Sequence, residues 1–329
     1  MQISIVIPTY NRVRDLSECL DSIVCQTICP QEVIIVDNSD KDKEEVRKLV
    51  EDLVPSFKKK NVNLQYVHNK KENSLTVARN IGINKAAGEI ISFLDDDVVL
   101  EKNYYEEIIK IYSEYPNALG VEGMVISEIP AGGEKIKFIF TQLLGKLFYL
   151  GFREQNKCRL LPSMGVTYPM EEKICNCQWL SGCSSTFRKK ILEEIKPDEN
   201  LKKYSDNEDL DLSYRIFKKY PNTLFLAPKA KCHHKESKKG RLVKKDLIYM
   251  SQIYRLYLFF KLIDQNLKNK LIYFWSRIIG GMIFKIISVL NLKSSPSEVI
   301  SLIKAYFLCL KHIEEIKNGD LNFFNEKLC

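Results

Sequence analysis

Three consecutive aspartates, Asp95–Asp97, directly follow the apolar run Ile90–Leu94, which is typical of a β-strand. Three carboxylates at one strand end repel one another unless a cation lies between them. Mg²⁺ and Mn²⁺ bind carboxylate oxygens and bridge to phosphate oxygens, which suits a nucleotide diphosphate leaving group. The alternative is an acidic cluster that stabilises a helix N-terminus. The triplet alone does not decide between the two interpretations.

A second acidic pair, Glu208 and Asp209, opens a predicted helix. A positioned carboxylate can remove a proton from an attacking hydroxyl, so a general base is one interpretation. An acidic first turn favoured by the helix dipole is the other. Downstream, His233 and His234 supply imidazole, a ligand that suits Mn²⁺ better than Mg²⁺. Trp179 offers an aromatic face that either stacks on a sugar ring or fills the core.

Short apolar runs alternate with helical periodicity in the first half of the chain, which predicts an α/β fold with a mainly parallel sheet flanked by helices. The predicted strands are Ile3–Ile7, Val33–Val36, Leu64–Val67, Ile90–Leu94 and Leu119–Val125, followed by the strand-like segment Trp179–Phe187. The predicted helices include Leu75–Ala87, Lys102–Tyr115 and Asp206–Lys219. Such sheets bind ligands at the carboxyl ends of their strands. Thr9, Asp37 and the three aspartates all follow strands, so we expect them to converge on one crevice.

Five motifs, in this order and spacing, resemble those of the family-2 inverting glycosyltransferases of the GT-A fold. They are Ser4–Arg12, Ile34–Asn38, Ala78–Gly82 together with Gly88–Asp97, Trp179–Phe187 and Asn207–Asp211. The resemblance covers roughly residues 1–240. It implies metal-dependent transfer of a sugar from a nucleotide-diphosphate donor.

The resemblance implies that seven residues bind the nucleotide sugar. They are Pro8, Thr9, Tyr10, Asp37, Arg79, Asp95 and Asp96. The residue matching Asp37 reads the base, typically uracil, and the one matching Asp95 contacts the ribose. Residues 8–10 match the loop that lines the base and ribose, and Arg79 is similar to a basic residue near the nucleotide. Asp96 occupies the variable middle position of the family's Asp-x-Asp motif.

The resemblance also assigns the metal, Mn²⁺ or Mg²⁺, to Asp97 and to a histidine. His234 aligns best with the family's third metal ligand, and a register shift of one residue would place His233 there instead.

For the chemical step, Asp209 matches the catalytic base, with Glu208 and Asp211 as supporting acids. Trp179 and Gly182 match the segment that lies beneath the acceptor and donor sugar.

These assignments imply an inverting transfer from a nucleotide-sugar donor, typically a UDP-sugar, to a glycan or lipid-linked acceptor. One alternative is a nucleotidyltransferase of related fold, but Pro8–Arg12 lacks the Gly-rich basic loop that holds a triphosphate. Another is a non-catalytic membrane-associated scaffold with a decayed transferase domain, which is disfavoured because four acids are intact: Asp37, Asp95, Asp97 and Asp209. The sugar, the acceptor and the linkage have no readable code in the variable segment 130–178.

Beyond the catalytic domain, predicted over residues 1–240, residues 241–329 form long aromatic helical stretches. Leu271–Leu290 is long enough to span a membrane. Arg277 and Lys285 make spanning costly, and an amphipathic helix lying in the membrane interface is the preferred interpretation. Packing of this helix against the catalytic domain or the neighbouring helices is the alternative.

The distribution of charge and the cysteine content indicate where in the cell the protein is expected. Eight Lys or Arg and one acid lie between Lys229 and Lys245, a run that suits an anionic membrane, a phosphate-rich ligand, nucleic acid or a solvated face. Ten scattered cysteines without a Cys-x-x-Cys pair fit free thiols in a reducing cytosol. No signal peptide is expected before the first strand. We therefore expect a cytoplasmic protein attached peripherally to the inner membrane face, with no nucleic-acid partner. The oligomeric state is not predicted.

Overall fold

The computed structural model describes residues 1–126, 133–155, 157–169, 173–240 and 242–328, and it describes their side chains except at 133–137 and 328. The chain forms two compact units. Unit 1 consists of Met1–Ser127 and Glu172–Arg241, and unit 2 consists of Glu128–Glu171 and Leu242–Cys329. Residues 128–171 thus group with the C-terminal segment, although the predicted catalytic domain includes them.

Unit 1 contains nine described strands and six described helices. Its strands are β1 Ile3–Thr9, β2 Glu32–Asp37, β3 Asn63–His68, β4 Ile90–Phe93, β5 Val98–Leu100, β6 Gly120–Val125, β9 Cys175–Asn176, β10 Ser185–Arg188 and β11 Leu224–His234. Its helices are α1 Val13–Val24, α2 Lys43–Lys59, α3 Leu75–Lys85, α4 Tyr104–Glu114, α6 Lys189–Glu194 and α7 Glu208–Lys219.

The nine strands form one sheet in the order β3-β2-β1-β4-β10-β6-β11-β5, with β9 paired to β11. Strands β3, β2, β1 and β4 are parallel, and β11 is parallel to β6. Strand β10 is antiparallel to both of its neighbours. The predicted α/β class with a mainly parallel sheet, which the resemblance implies as well, is therefore confirmed.

The parallel strands form because their residues are apolar on both faces. All seven residues of β1 and all six of β2 are buried. Helix α1 covers them with one apolar side, formed by Leu16, Cys19, Leu20 and Ile23. Each such side chain contributes roughly 1.5–3 kcal/mol when fully buried. The strand ends on which the candidate site depends are thus fixed by a continuous core.

One predicted strand is shorter in the structure, and one strand of the structure was not predicted. Trp179–Phe187 was expected as one strand, but only Ser185–Arg188 forms β10, and the preceding residues form a turn. Strand β11 was not predicted, because Pro228 and the lysines Lys229 and Lys231 interrupt its apolar run. A register shift between Ala227 and Lys231 accommodates this interruption while β11 stays paired with β6.

Unit 2 is mostly helical, with one small parallel sheet. Strands β7 Gly151–Glu154 and β8 Val166–Pro169 pair with each other. The helices are α5 Gly133–Leu147, α8 Lys244–Leu262, α9 Leu267–Phe274, α10 Gly281–Leu290, α11 Pro296–Lys311, α12 Ile313–Lys317 and α13 Asn322–Asn325. A π-helical turn, Trp275–Gly280, joins α9 to α10.

The stretch Leu267–Leu290 is, within the described residues, the single helical segment long and apolar enough to cross a membrane, with a mean hydropathy of 1.4. Two of its four charged residues, Arg277 and Lys285, contact other residues of unit 2. Arg277 is buried, and its Nε donates to the carbonyl oxygen of Ser163 at 2.6 Å. Lys285 pairs with Glu298 at 2.9 Å.

Candidate active site

The carboxyl ends of β1, β2 and β4 meet at one edge of the sheet. Thr9 lies beside Asp37 in the parallel register of β1 and β2. The Thr9 hydroxyl donates to Asp96 Oδ2 at 2.8 Å, which joins the end of β1 to the residues after β4. The predicted convergence of these strand-end residues is therefore present in the structure.

Asp95, Asp97 and His234 form a cluster whose candidate ligand atoms all lie within 4.8 Å of one another. His234 Nε2 lies 3.1 Å from Asp97 Oδ1. Among the described residues, this buried oxygen has the imidazole contact and no well-aligned hydrogen bond. Two carboxylates and an imidazole at this separation fit a divalent cation.

The order of the two histidines follows from the alternation of side chains along a strand. His234 is partly buried and approaches Asp97, whereas His233, one residue earlier on β11, is exposed. Asp97 raises the pKa of His234 to about 10. Burial would raise the pKa of Asp97, but His234 and Arg12 outweigh it and hold that pKa below its ordinary value. The acid and the imidazole therefore compensate each other's charge.

Asp96 faces Arg12 and lies outside this cluster. Arg12 Nη1 donates to Asp96 Oδ1 at 2.9 Å, and the Asp96 side chain is buried. Burial raises the pKa of Asp96 to about 7, although Arg12 opposes the shift. Arg12 was not predicted as a site residue. It is the last residue of the motif Ser4–Arg12, which could have indicated its role.

Arg12 also holds the segment that follows His234. Its Nε donates to the carbonyl oxygen of Lys239 at 2.6 Å, and its Nη2 to that of Ser237 at 3.1 Å. The Ser237 N–H donates to Asp97 Oδ2 at 2.9 Å. At Gly240 (φ +75°) a Cβ would lie 2.7 Å from the carbonyl oxygen of Tyr10, so this close approach requires glycine. Segment 235–240 is thus fixed against the strand-end loop.

Asp37, the residue matched to base recognition, is fully buried. Its Oδ1 accepts the N–H of Ser39 at 2.8 Å, and its Oδ2 accepts the hydroxyl of Tyr66 at 2.9 Å. Each carboxylate oxygen has a second lone pair for a ligand donor. Tyr66 was not predicted as a site residue. Its position opposite Ile35 on the neighbouring strand is set by the β2–β3 register.

Pro8 and Tyr10 flank Thr9 at the end of β1. Pro8 is buried and lies opposite Val36 in the β1–β2 register. The Tyr10 side chain is half-buried, and its hydroxyl lies 3.4 Å from Asp40 Oδ2. The structure thus places all three residues of the predicted base and ribose loop at the same edge of the sheet.

Arg79 lies at the centre of the site and is almost completely buried. Its guanidinium pairs with Glu208, lies 3.4 Å from Asp95 Oδ1 and donates to the carbonyl oxygen of Gly182 at 2.9 Å. It also stacks over the ring of Phe93, 5.0 Å from the centroid. Arg79 therefore connects Asp95 to Glu208. Burial raises the pKa of Glu208, and Arg79 opposes that shift.

Asp209 is held by two backbone N–H groups. Its Oδ2 accepts the N–H of Gly182 at 2.9 Å, and its Oδ1 accepts the N–H of Leu210 at 2.8 Å. Burial raises the pKa of Asp209, although these hydrogen bonds oppose the shift. Asp211, predicted as a supporting acid, is buried and pairs with Arg215 at 2.6 Å. The first turn of α7 therefore orients Asp209 towards the turn at Gly182.

The turn that contains Trp179 and Gly182 is anchored by two carboxylates. Glu122 on β6 accepts the Ser181 N–H at 2.8 Å, next to the bond from Gly182 to Asp209. Trp179 is buried, 7% exposed. A Cβ at Gly182 would lie 2.9 Å from both terminal nitrogens of Arg79 and from Glu208 Oε1. Glu122 was missed because its sequence context, a glycine-flanked strand residue, has no motif.

Comparison with known proteins gives one family. The sequence model of "Glycosyl transferase family 2" matches residues 4–196, more than half of the chain. The minor teichoic acid biosynthesis protein GgaB of Bacillus subtilis is 26% identical over 244 residues, which are 72% of this chain and 23% of GgaB. The curated relatives match over 15% to 39% of their own length, so the chain spans only a part of each.

Two solved structures show the same fold at low sequence identity. The mannosyltransferase PcManGT of Pyrobaculum calidifontis, in complex with GDP-Man and Mn²⁺, has a TM-score of 0.56 at 16% identity, over 94% of this chain and 87% of that one. Residues 1–349 of TarS from S. aureus, in complex with UDP-GlcNAc, have a TM-score of 0.54 at 15% identity, over 98% and 89%. The arrangement of strands and helices is therefore shared with nucleotide-sugar-binding structures.

Proposed function

The chain belongs to glycosyl transferase family 2, and we propose that it is a glycosyltransferase with a nucleotide-sugar donor that inverts the anomeric configuration of the transferred sugar, with Asp209 as general base. The acceptor is a hydroxyl of a glycan or lipid-linked glycan. The observation that carries the proposal is the Arg79 network, because it joins the acid cluster after β4 to the first turn of α7. A donor bound at the acid cluster and an acceptor bound at the first turn of α7 would meet beside Arg79.

The donor diphosphate would lie at the cluster of Asp95, Asp97 and His234. Asp97 and His234 would hold Mn²⁺ or Mg²⁺, and a bound cation would neutralise the charge that develops on the leaving diphosphate. Asp95, the third member of the cluster, would contact either the cation or the ribose. Asp37, with Tyr66 fixing its orientation, would accept a hydrogen bond from the base, and Thr9 and Tyr10 would line the ribose.

In the reaction, the acceptor oxygen attacks the anomeric carbon while the bond from that carbon to the diphosphate oxygen breaks. The hydroxyl proton passes to the carboxylate of Asp209. One in-line displacement inverts the anomeric configuration. The N–H groups of Gly182 and Leu210 fix the orientation of the carboxylate, and the raised pKa of Asp209 makes it a stronger base than an exposed aspartate.

We further propose that the enzyme works in the cytoplasm at the inner face of the cell membrane. The name of GgaB places that relative in teichoic acid synthesis, which supports a surface glycan as acceptor. UDP is the preferred nucleotide in this proposal, and GDP is the alternative because PcManGT was solved with GDP-Man.

Calorimetry with UDP, GDP and Mn²⁺ tests the donor site. We expect UDP to bind the wild-type protein more tightly with Mn²⁺ than with EDTA. Asp97→Asn removes a proposed ligand, and we expect it to weaken Mn²⁺-dependent binding at least about tenfold, the scale on which even outer-shell partners of a metal act. Asp96→Asn is the matched comparison, because Asp96 contacts Arg12 and Thr9 outside the cluster, and it should keep the Mn²⁺ dependence.

Unchanged Mn²⁺ dependence in Asp97→Asn would contradict the metal assignment. Absence of binding by either nucleotide to the wild-type protein would contradict the donor site altogether.

A further inference from the structure

The outer surface of unit 2 is apolar over three helices that follow or contact one another. On α11, four exposed side chains recur at helical spacing on one face: Ile300, Ile303, Phe307 and Leu310. The opposite face of α11 is buried through Leu302, Ala305 and Cys309. Phe307 is 67% exposed and Leu310 65%, values far above those of a core residue. Helix α11 therefore presents one apolar face to the interior of the unit and a second one outwards.

The segment α9–α10 continues this outward surface. Leu271 and Trp275, and farther on Ile286 and Leu290, are exposed at four-residue spacing. Trp275 is 40% exposed, and its Nε1 donates to the carbonyl oxygen of Leu147 at 3.0 Å. The indole N–H is thus hydrogen-bonded within the protein, while much of the ring is exposed.

Helix α5 adds a third row next to Trp275. Ile139, Leu143 and Leu147 are exposed at four-residue spacing, and Phe148 packs against the Trp275 ring with centroids 5.3 Å apart. We call the exposed apolar residues of α5, α9–α10 and α11 the outer apolar surface. Contiguous apolar surface of this kind indicates a partner.

Two charged residues in the middle of this surface, Arg277 and Lys285, are held by other residues of unit 2. The Arg277 side chain donates to Ser163, and its own carbonyl oxygen accepts the Tyr306 hydroxyl at 2.5 Å. Lys285 pairs with Glu298. In a water-exposed amphipathic helix, charges lie on the outer face and apolar residues pack inside. Between Trp275 and Leu290 this arrangement is reversed: Arg277 and Lys285 pair inside the unit, while Trp275, Ile286 and Leu290 are exposed, which suits an apolar exterior.

The charges around the outer apolar surface indicate which kind of partner it contacts. Residues 265–311 contain seven Lys or Arg and a single acid, Glu298, which is paired with Lys285. The lysines that remain outside are Lys268, Lys270, Lys293, Lys304 and Lys311. Apolar side chains interspersed with basic residues, and a tryptophan with its polar atom satisfied, match the interface of an anionic bilayer. A second copy of the chain would place like charges opposite each other.

We propose that the outer apolar surface is the membrane-contacting surface of the enzyme and lies in the headgroup region of an anionic lipid leaflet. This inference rests on the proposed function at the inner membrane face. The contact is through the exposed residues of α5, α9–α10 and α11, while Arg277 and Lys285 keep their partners within unit 2.

Co-sedimentation of the full chain with vesicles tests the inference. We expect binding to vesicles of phosphatidylcholine and phosphatidylglycerol at 7:3, and at least about tenfold weaker binding to phosphatidylcholine alone. The double substitution Phe307→Glu with Leu310→Glu should weaken binding to the anionic vesicles at least about tenfold, because two apolar side chains no longer enter the interface. Val54→Glu, a change to an exposed apolar residue of unit 1, is the matched control and should bind as the wild type does.

Equal vesicle binding by the double variant and the wild type would overturn the inference, as would absence of wild-type binding. A wild-type dimer in light scattering that Phe307→Glu with Leu310→Glu converts to a monomer would instead assign the surface to a second copy. Calorimetry with UDP and Mn²⁺ on the same samples separates the two proposals. Retained nucleotide binding without vesicle binding contradicts the membrane surface alone, and vesicle binding without nucleotide binding contradicts the donor site alone.

Discussion

Arg79 is the residue at which the two halves of the proposed mechanism meet. It is buried among Asp95, Glu208 and the carbonyl oxygen of Gly182, so three acceptors share one cation. A buried charge is tolerated when it is paired and hydrogen-bonded, and removal of one partner is costly. The resemblance assigned Arg79 to the nucleotide. Its contacts in the structure give it a positioning role in addition, and direct contact with a nucleotide remains a prediction.

At the scale of single residues, Glu122 also leads to a prediction about how the free energy of unfolding depends on pH. Burial raises its pKa to about 8, so between about pH 4.5 and pH 8 the folded chain keeps a proton that the unfolded chain releases. The free energy of unfolding should therefore fall as pH rises through this range, by up to about 1.4 kcal/mol per pH unit for this group. Glu122→Gln keeps an acceptor for the Ser181 N–H and cannot titrate.

We expect the melting temperature of Glu122→Gln to decline less than that of the wild type between pH 5 and pH 8. Glu114→Gln, which changes an exposed acid on α4, serves as the control and should follow the wild type. Parallel melting profiles for Glu122→Gln and the wild type would show that Glu122 is ionised throughout this range.

At the scale of elements, strand β11 determines where His234, the proposed metal ligand, lies. Its antiparallel pairing with β5 places His234 opposite Val98, the residue directly after Asp97. The chain then continues along the site, where the Lys235 N–H donates to the carbonyl oxygen of Asp97 at 3.0 Å. The register of one strand pair therefore brings together residues that are 137 positions apart, as their numbers in the sequence show.

Segment 235–240 depends on Arg12, which gives a second prediction. Arg12→Gln removes charge-assisted hydrogen bonds to Asp96, Lys239 and Ser237, each worth about 1.5–3 kcal/mol. The segment should then open more often, and trypsin should cleave after Lys238 or Lys239 at least about tenfold faster. Mass spectrometry of the fragments measures this rate.

Arg14→Gln is the matched control, because Arg14 is a largely exposed arginine two residues away that pairs only weakly with Glu18. It should leave cleavage in 235–240 unchanged. Equal acceleration in both variants, or in neither, would show that Arg12 does not hold the segment.

At the scale of the molecule, the sequence predicted the sheet well because its parallel strands are continuous apolar runs. It also predicted that Thr9, Asp37 and Asp95–Asp97 meet, since strand ends share one edge of the sheet. It could not supply Tyr66 or Glu122, whose positions depend on strand register. The grouping of residues 128–171 with 242–329 could not be predicted either. It depends on contacts between segments far apart in the sequence, such as that of Arg277 with Ser163.

The most direct test of the account is sugar transfer by Asp209→Asn, measured beside UDP binding in the presence of Mn²⁺. Asparagine keeps the shape and an acceptor for the Gly182 N–H, but it cannot take the acceptor proton. We predict that transfer falls at least about a hundredfold while UDP affinity stays within about twofold of the wild type. Near-normal turnover in Asp209→Asn would contradict the assignment of the base and, with it, the proposed inverting mechanism.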